Sequence, residues 1–82
     1  MIEPDAVLDI TGEVCPMTFV RTRLLLDRMA EGATLLVRLR GAEPVRNVPM
    51  MAISLGHEIL ARTEAEGVTS VLIRRRGQRL QG

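Results

Sequence analysis

The stretch Ala6-Val7-Leu8-Asp9-Ile10-Thr11-Gly12-Glu13-Val14-Cys15-Pro16 decides the fold. Its first five residues are a short apolar run bounded by polar ones, which reads as a first strand. Thr11-Gly12-Glu13 breaks the run with turn chemistry. Pro16 then falls where a helix opens, because at the first helical position its missing N–H costs nothing and its φ is preset. Cys15 is thereby placed at the N-cap.

Working outward, residues 16–30 are rich in helix formers. Helical spacing aligns Phe19, Leu25, Leu26 and Met29 on one apolar face with Thr22 among them. Gly32 is a stop signal. Thr34-Leu35-Leu36-Val37-Arg38-Leu39 reads as a second strand, and Arg40-Gly41-Ala42-Glu43-Pro44 as a loop. Asn47 is an N-cap candidate for a second helix, with Pro49 tolerated in its first turn and Gly56 closing it. Residues 58–63 and 69–74 flank an Ala65-Glu66-Gly67 turn and predict a hairpin. The order is β-α-β-α-β-β in one domain spanning 1–82, with 77–82 a frayed tail. Helical crossovers favour a parallel first pair, and the closing hairpin adds an antiparallel strand. The expected fold is α+β, a two-layer sandwich with a mixed four-stranded sheet and two helices on one face.

Composition removes whole classes of function. The chain has 82 residues and a single cysteine, so no internal disulfide can staple it. One Cys and one His are too few for a structural zinc, and no metal site is expected. Apolar runs such as Leu24-Leu25-Leu26 are too short to span a bilayer, and Met1-Ile2-Glu3-Pro4-Asp5 lacks the regions of a signal peptide. A cytoplasmic, reducing location follows, with no membrane partner. Eleven Arg against ten acids give a net charge of +1, which is no footprint for direct nucleic-acid binding, and Phe19 alone makes a poor base-stacking platform. The use of Arg without Lys has a plain account in G+C-rich coding bias.

What remains is the thiol. A helix-cap side chain faces the free N–H groups of Met17 and Thr18 and the positive end of the helix dipole. Both favour thiolate, so Cys15 should titrate below the ~8.5 of a free cysteine; the alternative is an inert cysteine that merely packs. A cysteine hydrolase needs a base, and His57 reads as a solvated loop or strand-edge residue instead. A dithiol oxidoreductase needs a second Cys. A low-pKa thiol with neither suits a group carrier, loaded and unloaded by other proteins.

The residues Leu8-Asp9-Ile10-Thr11-Gly12-Glu13-Val14-Cys15-Pro16, followed without a gap through the first helix to Gly32, resemble the opening of the TusA/SirA family of small sulfur carriers. Leu35-Leu36-Val37, Arg46-Asn47-Val48-Pro49, Gly56-His57-Glu58 and Val71-Leu72-Ile73-Arg74 extend the likeness over nearly the whole chain. The resemblance implies that Cys15 accepts sulfane sulfur as a persulfide and relays it, with no cofactor beyond that transient group. It implies a sulfur donor protein (a cysteine desulfurase, or a rhodanese-like or DsrE-like protein) and an acceptor protein. The acceptors serve tRNA wobble-uridine thiolation, molybdenum-cofactor or selenium metabolism, or sulfur oxidation. The carrier itself would be a monomer and a sulfurtransferase-type component rather than a stand-alone enzyme. Two other readings use the same fold: a protein-interaction or regulatory domain whose Cys15 carries no sulfur, and a thiol redox sensor resolved by a partner thiol or glutathione.

Several residues carry paired readings. Arg21 is either a solvated side chain or a positive docking group near the thiol. Met17, Val20 and Leu24 lie off the core stripe; burial against a loop is the plainer reading, and an apolar docking rim the other. Met50-Met51 reads as helix packing before it reads as an adaptable surface. Arg46 falls where the family pattern often carries a basic residue, a docking candidate. Glu13 reads as an exposed turn residue before a group that opposes thiolate formation, and Arg74-Arg75-Arg76 with Arg79 as a solvated strand end before a basic tail that contacts RNA or an acidic partner.

The family pattern Cys-Pro-x-Pro has Thr18 in place of its second proline here. Thr18 supplies an N–H that proline lacks, so Cys15 should be at least as acidic as in a Cys-Pro-x-Pro protein, with no necessary gain in exchange rate. Titration of the thiol in wild type and Thr18→Pro should give an equal or higher pKa in the variant; a lower one contradicts the argument.

Overall fold

The computed structural model describes residues 3–12 and 17–76, and of residues 17–19 the backbone alone. The elements are β1 (Ala6–Asp9), α1 (Met17–Arg28), β2 (Thr34–Arg40), α2 (Ala42–Ser54), β3 (Glu58–Ala65) and β4 (Val68–Arg74). The sheet order is β1-β2-β4-β3. β1 runs parallel to β2, and β4 lies antiparallel between β2 and β3. This is the expected α+β sandwich, with both helices on one face.

Alternation in the strands builds that face. Leu35, Val37 and Leu39 of β2 and Val71 and Ile73 of β4 are fully buried, and register pairs Leu35 with Ile73 and Val37 with Val71. Ile10, Leu26, Val48 and Ala52 complete the core. The other face carries Leu36, Arg38, Arg40, Ser70 and Leu72 and stays more open. The hairpin turn is tighter than the sequence predicts: Ala65 belongs to β3, and Glu66 and Gly67 alone turn the chain, at φ 53° and 81°. Positive φ at both central residues is the type I′ geometry that matches strand twist.

α2 corrects the sequence reading at its start. It opens at Ala42 after a Gly41 corner at φ 104°, so residues 42–44 are helix rather than loop and Asn47 is interior. Pro44 occupies the third helical position, where its N–H would have had no intrahelical acceptor. Pro49 is also interior and forgoes its helical bond; its gain is burial, on a face formed by Pro44, Val48, Pro49, Met51 and Ala52. The end behaves as expected. Gly56 at φ 93° donates to the Ile53 carbonyl at 3.0 Å, and the His57 N–H to that of Ala52 at 2.9 Å, a Schellman closure.

That closure carries His57 inward, correcting its reading as a solvated residue. It is 9% exposed, and its Nδ1 accepts the Arg76 N–H at 3.2 Å. The Arg run is likewise more than a solvated strand end. Arg75 Nε donates to the Leu26 carbonyl at 2.7 Å, and its backbone bonds Gly32 and Ala33. Arg74 and Arg76 approach Glu58 at 3.8 and 3.3 Å. The end of β4 therefore ties the C-terminus of α1 to the start of β3.

Burial pushes the His57 pKa below its ordinary 6.5; the Arg75 charge adds to this and Asp27 opposes it. The folded state thus favours neutral imidazole. That stabilisation is complete above pH 6.5 and is lost as pH falls through the folded value. Denaturant unfolding between about pH 7 and 5 should show stability declining with acid. His57→Asn, whose Oδ1 can accept the same N–H, should flatten the slope, and a wild type with no slope contradicts the assignment.

Candidate functional site

Because β1 and β2 are parallel, their C-terminal ends lie together, and the register Arg40↔Val68↔Ala65 brings the hairpin turn to the same end. The chain leaves β1 here, and α2 starts here. Asp9 organises the exit: its Oδ1 accepts the Thr11 N–H at 3.1 Å and the Thr11 hydroxyl at 2.8 Å, and its Oδ2 meets Arg38 at 3.4 Å. The Thr11 bonds foremost, with Arg38 and Arg40, hold its carboxyl below the ordinary 3.8. The turn ahead of the cysteine is thereby pinned to β1.

Gly12 closes that turn and Met17 opens α1; between them, residues 13–16 lie outside the described residues. The expectations for Glu13, Cys15 and Pro16, and the contact of the Met17 and Thr18 N–H groups with a thiolate, fall there. Their chain neighbours on both sides are in place, with Met17 and Thr18 the first two residues of α1. His57 sits at the opposite end of the sheet, beside Glu58 and Arg74. Six residue steps along β2, about 20 Å at strand rise, separate the two ends, so His57 is not positioned as a base for this junction.

On α1, Thr22 and Leu26 are fully buried, with Leu25 and Met29 partly so, as the stripe predicts, while the Phe19 side chain lies outside the described residues. Val20 and Leu24 are 39% and 57% exposed, which corrects their reading as loop-buried; the Met17 side chain, grouped with them, lies outside the described residues. Leu24 and Arg21 border a shallow groove of about 250 Å³ with Leu8, Leu25 and Arg28. Arg28 is the member that sequence reasoning missed; its spacing of seven from Arg21 was the available signal. Arg46 lies on α2, apart from this groove, in an exposed row with Met50 and Ile53 at spacings of four and seven. Met50 is 61% exposed and Met51 buried, so the packing reading holds for Met51 alone. Among the described residues no three His, Cys, Asp or Glu side chains gather as a metal site, and no helix is long and apolar enough to cross a membrane.

A small α+β sandwich, whose first helix presents exposed apolar and basic side chains, frames the strand-to-helix junction between Gly12 and Met17. The family model described as sulfurtransferase TusA matches residues 6–75, and the chain belongs to this family of sulfur carriers. A putative sulfur carrier protein of Archaeoglobus fulgidus is 42% identical over 76 residues, 92% of this chain and 86% of that protein. The sulfur carrier protein TusA of Pseudomonas putida W619 is 33% identical over 73 residues, 89% of this chain and 91% of its own. The crystal structure of a SirA-like protein from Desulfitobacterium hafniense superposes with a TM-score of 0.77 at 26% identity, covering 87% of this chain and 97% of that one. A carrier of this family meets sulfur donor and acceptor proteins.

Exposure of the α1 rim has a direct consequence. Leu24→Ser should leave unfolding free energy within about 0.5 kcal/mol of wild type. A loss of roughly 2 kcal/mol or more by denaturant titration would mean that Leu24 is core.

Proposed function

We propose that this carrier receives sulfane sulfur on Cys15 and hands it to a second protein. The observation that carries the reading is the family match across residues 6–75, which spans the chain's single thiol. The Cys15 thiolate attacks the outer sulfur of a donor persulfide. A new S–S bond forms, the donor S–S bond breaks, and the donor leaves as a thiolate. The transfer needs no external oxidant or reductant. Unloading repeats the step in reverse sense: the acceptor's nucleophile takes the outer sulfur and Cys15 departs as thiolate. Departure favours a low thiol pKa, the property that Pro16 and the N–H groups of Met17 and Thr18 would supply.

The donor is a cysteine desulfurase or a rhodanese-like or DsrE-like protein, and the acceptor belongs to tRNA thiolation, cofactor or selenium metabolism, or sulfur oxidation. Val20, Leu24, Arg21 and Arg46, all exposed, support docking of such partners. No bound cofactor is required, and the protein acts as a carrier within a relay.

Incubation with a cysteine desulfurase and cysteine, or with a small-molecule persulfide donor, should add the mass of one sulfur to the intact protein. A reductant should remove it, and Cys15→Ser should never acquire it. Absence of the adduct with every donor class contradicts the proposal and favours an interaction domain.

A further inference from the structure

α2 opens at the same end of the sheet as the junction between Gly12 and Met17, and it opens uncapped. Gly41 is its N-cap residue, and no side chain hydrogen-bonds the helix start. Pro44 has no N–H to offer, and that of Val45 already reaches the Gly41 carbonyl at 3.2 Å. The N–H groups of Ala42 and Glu43 are left to donate outward, with the positive helix end behind them. Beside them on β4, Thr69 is 3% exposed, and among the described residues its hydroxyl has no hydrogen-bond partner. Burying a hydroxyl without a partner is costly, so its retention calls for an occupant that bonds it.

Gly41, Ala42, Val45, Glu64, Gly67 and Thr69 line one cleft of about 270 Å³ at this place. Gly41 and Gly67 contribute no side chain to block it, and Val45 gives it an apolar wall. The Ala42 N–H and the Thr69 hydroxyl, both on lining residues, are suited to donate to one oxygen. Glu64 on the rim supplies a carboxylate that accepts instead, and the Arg40 guanidinium lies beside Gly67, so the rim carries both signs of charge. A neutral group bearing C=O and N–H side by side satisfies both sets; phosphate dianion or a carboxylate brings no donor for Glu64. We propose that this cleft binds an amide of a docked protein partner, a backbone peptide group or an Asn or Gln side chain. The inference takes from the carrier reading only that a partner docks at this end of the sheet.

N-acetylglycinamide is a suitable probe on the intact protein, followed through backbone amide chemical shifts. It should move the Ala42, Glu43 and Thr69 signals saturably, more tightly than acetate or inorganic phosphate at equal ionic strength. Thr69→Val should weaken probe binding about 5-fold while raising Tm by roughly 4 °C, since the orphaned hydroxyl is gone. Glu64→Gln should weaken the amide and strengthen acetate. No saturable shift, tighter binding of acetate or phosphate, or a Tm lowered by Thr69→Val each overturns the proposal. Cys15 takes no part in the experiment. A failed cleft therefore leaves sulfur loading untouched, and failed loading leaves the probe result standing.

Discussion

The ladder between β2 and β4 is the constraint on which the molecule depends. It pairs seven residues of each strand, and its inward side sets Leu35 against Ile73 and Val37 against Val71, all four fully buried. Most of the apolar sheet surface that the helices cover lies on these two central strands. The ladder also orders the remaining strands. β2 presents its free side to β1, parallel, and β4 presents its own to β3. Loss of this register by one residue would turn the buried set outward and leave α1 and α2 without a floor.

The same ladder separates two kinds of work. At one end, the β4 terminus is tied by Arg75 to Leu26 and by Arg76 to His57, locking the C-terminus of α1 and the start of β3. At the other end, both parallel strands run out, α2 starts without a side-chain cap, and the chain turns toward the cysteine. Bonding is satisfied at the first end, and at the second the start of α2 has no side-chain hydrogen bond.

Much of this was legible from residue spacing. The stripe of Thr22, Leu25, Leu26 and Met29, the Gly56 stop and the hairpin all follow from local rules that the tertiary structure leaves intact. The start of α2 was misread because Gly-Ala-Glu-Pro is also turn chemistry. The spacing of Pro44, Val48, Met51 and Ala52 carried the helical signal across it. His57 and Arg75 were illegible for a different reason: their partners lie 19 and 49 residues away, and only the finished sheet brings them together. The orphaned Thr69 hydroxyl is a property of packing alone. For the thiol, Cys15-Pro16 and the family pattern alone carry the reading, because residues 13–16 lie outside the described residues.

On the proposed function, Cys15 moves sulfur between proteins rather than merely reacting with it. The most direct measurement loads the protein with isotopically labelled sulfur, removes the donor, and follows the label after addition of a second, initially unlabelled thiol protein. The label should reside on Cys15 and pass to the second protein as sulfane sulfur, regenerating the free thiol. Label that is retained by the carrier, or that binds Cys15→Ser as well as wild type, would contradict it.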